Sequence, residues 1–175
     1  YAQVLGSALT HRVGIAVADA NAVQVRVNGE NLSLTDPSMF GTYSYLEVID
    51  DEFVGRHFPL ESDANIYRGG WISGNQADLR DEGADVDAYR DRYSKDTNEA
   101  EDDWSDFLNL VDVLNNAPLE TLLSQVEQIA DVDQWLRFLA FDTLLTNRET
   151  SPSNGIGDDY RLLRGFDDTR FLFVP

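Results

Sequence analysis

The chain has 175 residues, 42% of them hydrophobic, enough for one domain with a real core or two small lobes sharing a cleft. Its 32 acidic residues against 13 basic ones give a formal net charge of −19, a field that repels nucleic acid and anionic lipid alike, and no apolar run approaches the roughly 18 residues of a membrane span. Cysteine is absent and only His11 and His57 are present, which excludes a disulfide framework, a thiol nucleophile and a Cys- or His-rich metal site, and disfavours a Ser-His-Asp triad.

In chain order, Val4, Leu5, Ala8 and Leu9 fall at helical spacing, so residues 1–9 read as the tail of a helix. Val23 to Val27 alternate strictly and predict a half-buried strand, followed directly by Asn28-Gly29, the dipeptide best suited to a tight hairpin turn. A second strand is expected from Gly41 to Val48. Ile49 to Phe58 reads as a short helix capped by Asp50 or Asp51, with Phe53, Val54 and Phe58 on one side. Asn65 to Arg68 is a short strand closed by Gly69-Gly70. Between Ser73 and Glu101 the composition turns to Asp, Glu, Gly, Asn and Arg, which predicts a polar insertion or linker with a short helix near Asp85 to Tyr93. Its acidic spacing lacks the loop glycine and closing Glu of an EF-hand.

From Asp102 the pattern is helical. Trp104, Phe107, Leu108, Leu110, Val111 and Leu114 form one apolar face; Pro118 opens a second helix; Asp131 or Asp133 caps a third. That third helix is apolar on nearly every side, from Trp135 to Leu145, and is expected in the middle of the domain. After a turn over 146–159, Tyr160 to Leu163 and Phe171 to Val174 form a hairpin. The expected fold is α+β with two lobes: a β-rich part over 1–72, an acidic segment over 73–101 and a helical part over 102–175. A start in mid-pattern at Tyr1 and an end in mid-strand at Pro175 read as a piece of something longer.

The constellation with chemical content follows the buried helix. Glu149 precedes Asn154 by five residues, and a strand, a turn and a strand come next. That is the layout of a kinase catalytic loop, where the carboxylate orients or deprotonates a substrate hydroxyl and the Asn oxygen holds a magnesium ion. A second metal-binding carboxylate would fall just after Pro175. Asn154-Gly155 reads equally well as an ordinary turn.

The stretches Val27-Asn28-Gly29-Glu30, Tyr45 to Phe53 and Asn65 to Gly69, with the tail from Leu144 through Asn154 to Tyr160, resemble the CotH (spore coat protein H) kinase-like family. The resemblance covers most of residues 1–70 and 102–175. It implies an atypical protein kinase fold that uses ATP and Mg2+ or Mn2+ to phosphorylate Ser or Thr of secreted or surface proteins, and hence an extracellular or cell-surface location. By position, Glu149 takes the catalytic-loop carboxylate and Asn154 the metal-binding Asn. Glu47 and Arg68 take the nucleotide-side positions, with Mg–ATP expected between those two and the Glu149–Asn154 loop. Two departures stand out. Glu149 replaces an Asp, moving the carboxylate by about 1 Å, a displacement that can cost on the order of a hundredfold in rate. Arg68 stands where Lys is common, and the two cations meet phosphate with different geometry. Glu47 is expected to pair with Arg68, Asp158 and Asp159 to cap or flank the strand, and Trp104 and Trp135 to lie in the core. The rival reading is a non-catalytic adhesion or scaffolding module of the same fold.

Overall fold

A computed structural model describes residues 2–31, 33, 42–70, 75–147 and 157–175. They fall into two units, Tyr1–Val48 and Ile49–Pro175.

The first unit opens with α1 (Ala2–Arg12), which buries Ser7 and Thr10 rather than its leucines. Ser7 donates to the Ala18 carbonyl at 2.8 Å, and the helix stops at Gly14, whose φ of 73° suits a residue without a Cβ. β1 (Ala20–Gln24) pairs antiparallel with β2 (Thr42–Leu46), from Ala20 opposite Leu46 to Gln24 opposite Thr42. Asn28 and Gly29 make the expected tight turn, both at positive φ, with reciprocal 3.0 Å bonds between Val27 and Glu30. That turn explains why the strand ends at Gln24 and not at Val27. The main-chain groups of Val27 are taken by Glu30, and Val25 and Val27 stay exposed.

The second unit is built on one antiparallel sheet. α2 (Asp51–His57) is capped by Asp50, whose carboxylate accepts from the amides of Glu52 and Phe53, and it buries Phe53 and Val54 completely. β3 (Asn65–Gly69) then runs between β4 (Tyr93–Lys95) and β5 (Tyr160–Arg164), with β6 (Phe171–Val174) outside β5. The acidic stretch expected as an insertion thus contributes an edge strand. It does so because its aromatic residues are core residues: Tyr89 and Tyr93 are buried, and Thr97 ties the segment down by accepting from the Ile66 amide and donating to the Ala64 carbonyl. The short helix expected there is a single 3-10 turn over Val86–Ala88.

Three helices follow: α3 (Ser105–Asn116), α4 (Leu122–Ile129) and α5 (Val132–Leu144). α3 buries Phe107, Leu110 and Val111, and the Phe107 ring lies 5.1 Å from Tyr67, 4.6 Å from Tyr93 and 5.7 Å from Trp104. α4 starts one turn beyond Pro118, which is spent on a turn closed by the Thr121 amide. α5 is capped by Asp131, as its sequence predicts, and leans on β6: Gln134 bonds both main-chain groups of Phe173, Trp135 donates to the Phe171 carbonyl, and Phe138 stacks on Phe173 at 4.7 Å. Its apolar girdle is not buried all round. Phe138 and Asp142 are covered, whereas Leu136 and Leu144 are 61% and 81% exposed, since a helix laid on one strand hides one side only. No helix among the described residues is long and apolar enough to cross a membrane.

Because Phe107 meets four other aromatic rings, those of Tyr67, Tyr89, Tyr93 and Trp104, Phe107→Ala is expected to cost about 3–5 kcal/mol in urea unfolding. Leu136→Ala on the open side of α5 should stay within about 0.5 kcal/mol.

Candidate functional site

Successive residues of a strand point to opposite sides of the sheet, so β3 separates two environments. Tyr67 and Gly69 face the aromatic core. Arg68, between them, faces the other way and is half-exposed.

On the core side the charged groups answer one another. The Tyr67 hydroxyl donates to Asp106 at 2.5 Å and Asn65 Nδ2 donates to its other oxygen at 2.8 Å. Burial first, then Asp106, pushes the Tyr67 hydroxyl well above the usual phenol range. Lys95, itself buried, donates to the Asp103 carbonyl at 2.7 Å and lies over the Tyr67 ring. Asn65, Lys95, Asp103 and Asp106, with Asp63 and Arg164, border an open cleft of about 720 Å³. Asp106 is saturated by its donors and holds the first turn of α3 on β3. Its carboxylate is engaged by the fold through Tyr67 and Asn65.

The other side of the sheet is different. Arg68 Nη2 meets Asp159 Oδ1 at 3.3 Å, an exposed ion pair of small intrinsic worth. In the β3–β5 register the residue opposite Arg68 is Arg161, whose Nε lies 3.5 Å from Asp96. Burial holds the Arg161 guanidinium below its usual value, with Asp96 opposing and Arg68 reinforcing that shift. Asp159 takes a left-handed conformation, φ 52°, as the chain enters β5.

A third carboxylate organises the β5–β6 turn. Glu61 accepts from the amides of Phe166 (2.7 Å) and Asp167 (3.0 Å) on one oxygen and of Asp168 (2.6 Å) on the other. The Asp168 amide, ahead of the other two, draws the Glu61 carboxyl below the ordinary carboxylate range against a smaller push from burial.

Of the residues singled out from sequence, Glu47 follows β2. Its amide donates to the Asp19 carbonyl at 2.9 Å and its carboxylate accepts from the Asp19 amide at 3.0 Å, closing the end of that hairpin. Glu47 and Arg68, expected as partners, each have a partner within their own unit. Glu149 and Asn154 lie outside the described residues. Arg161 was missed by sequence reasoning, although a cation between Tyr160 and Leu162 in a strand of buried residues was a visible signal.

The family profile described as CotH kinase protein matches residues 4–175. The chain belongs to the CotH kinase family. No curated protein matches it. For this CotH-family chain, nucleotide and metal use are the expectation that membership brings. Among the described residues Arg68 has one half-exposed ion pair, with Asp159.

The Glu61 clamp gives a pH signature. A carboxyl held below its unfolded value adds stability that is present above about pH 4.5 and is lost as pH falls through the lower folded value. Glu61→Gln should therefore lower the melting temperature at neutral pH, and the gap to the unaltered chain should close as both are titrated toward about pH 3.

Proposed function

We propose that this CotH-family chain transfers the γ-phosphoryl group of ATP to Ser or Thr hydroxyls of secreted or surface proteins, at an extracellular or cell-surface location. The family match over residues 4–175 carries this reading. The position of Arg68 supports it, because β3 and the start of β5 hold that guanidinium against Asp159, a few residues past Asn154 in the chain.

Glu149 is the catalytic carboxylate. It orients the acceptor hydroxyl and takes its proton as the hydroxyl oxygen bonds to the γ-phosphorus, while the bond from that phosphorus to the bridging oxygen breaks and leaves on ADP. Asn154 supplies a side-chain oxygen to Mg2+ or Mn2+. Arg68 bonds phosphate oxygens, and Glu47 acts on the nucleotide side. The bound metal supplies charge neutralisation along the phosphate chain. The rest of the rate comes from positioning, as expected for a reaction with little covalent chemistry for the protein to perform. A Glu in place of the Asp more usual in this family keeps the proton acceptor but changes its reach.

The test is transfer from labelled ATP to a Ser-rich acceptor protein, with magnesium and with manganese. Incorporation into the acceptor that falls by about a hundredfold or more in Glu149→Gln is the expected result. Incorporation that is absent, or equal in the variant, together with no thermal stabilisation by ATP, would overturn the assignment in favour of a surface-binding module.

A further inference from the structure

The pairing that places Arg68 also sets a second guanidinium beside it. Arg68 and Arg161 are direct cross-strand partners in the β3–β5 register. Such partners project from the same side of a sheet with Cβ atoms about 4.5–5.5 Å apart, and like charges so placed repel. Carboxylates are not scarce in a chain with 32 of them against 13 Lys and Arg. Yet Arg68 makes one 3.3 Å bond to Asp159, and Asp96 stands 3.5 Å from Arg161 while accepting from the Ser94 hydroxyl at 2.8 Å. Among the described residues the buried Nε of Arg161 has no hydrogen-bond partner. A protein this acidic sets two guanidiniums on directly paired strand positions, each with one carboxylate at 3.3–3.5 Å, and a multiply charged anion would match both at once. Guanidinium forks match phosphate oxygens in pairs, and two of them side by side match adjacent phosphates better than a single carboxylate.

We propose that Arg68 and Arg161 form a two-guanidinium clamp on the phosphate chain of the nucleotide, with Arg161 as a second phosphate-binding residue. This rests on the kinase reading above and extends it to a residue on the neighbouring strand. The clamp recognises a di- or triphosphate and is indifferent to the base and sugar, so phosphate alone should bind to it.

The experiment is calorimetric titration of the full chain, in magnesium at low salt, with ATP, inorganic tripolyphosphate and adenosine. ATP and tripolyphosphate should bind, and adenosine should bind far more weakly. Arg161→Gln should weaken both polyphosphates by about tenfold or more. Arg161→Lys, which keeps the charge but loses the fork, should weaken them severalfold. It also serves in place of Arg161→Gln if circular dichroism shows that variant unfolded. Arg80→Gln, which removes an exposed cation paired with Asp78, should change neither. Unchanged polyphosphate affinity in the folded Arg161 variants overturns the clamp and leaves the kinase reading intact. Failure of the unaltered chain to bind tripolyphosphate overturns it as well. Arg161-dependent binding combined with phosphoryl transfer that is indifferent to Glu149→Gln would retain the clamp and sink the assignment of Glu149.

Discussion

The antiparallel pairing of β3 with β5 is the constraint on which the second unit depends. It joins segments about ninety residues apart, as the 91-residue separation between Arg68 and Asp159 records. Everything between them must return to the same sheet. β4 covers the other edge of β3, α3 covers its aromatic side through Phe107, and α5 is carried on β6, which hangs from β5. Loop-closure entropy grows only slowly with length, so a long return is affordable where the strands that meet are mostly apolar and completely buried. Ile66, Tyr67, Tyr160, Leu162 and Leu163 meet that condition.

The same pairing sorts charge by side of the sheet. Toward the core, Asp106 is bound by Tyr67 and Asn65 and Lys95 donates to a main-chain oxygen, so the polar groups there serve the fold. A buried network of this kind is stabilising only when its members are satisfied. Away from the core, Arg68 and Arg161 are cross-strand neighbours, each with a single carboxylate partner among the described residues.

Much of the local structure was legible in the sequence for physical reasons. Asn28-Gly29 permits the positive φ pair that a two-residue turn demands, Asp50 and Asp131 are caps because a short carboxylate reaches the free amides of a first turn, and the hairpin at the end of the chain is two short, mostly apolar runs on either side of a polar turn. What was not legible is long-range. Composition marked 73–101 as a polar insertion, but six of the described residues there, Ala77, Leu79, Tyr89, Tyr93, Lys95 and Thr97, are buried by partners the local pattern does not reveal. The girdle of α5 looked central because periodicity reports how much apolar surface a helix carries, not how much of it finds a neighbour. Glu149 and Asn154 were singled out by spacing and family likeness and lie outside the described residues, whereas the pairing of Arg161 with Arg68 is visible only when β5 is laid against β3.

The Glu61 contact bears on how this hairpin is specified. A tight turn usually carries its own instructions, with Gly, Asn or Pro at fixed places. The loop between β5 and β6 takes part of its instruction from a carboxylate more than a hundred residues earlier, which gathers three successive amides and leaves no room for a Cβ at Gly165, where one would come within 2.4 Å of the Glu61 carboxyl. The turn is therefore a tertiary feature written in two places. A peptide spanning residues 160–174 alone would carry the strands without the anion that shapes their connection, and transplanting the hairpin to another scaffold would require Glu61 to travel with it.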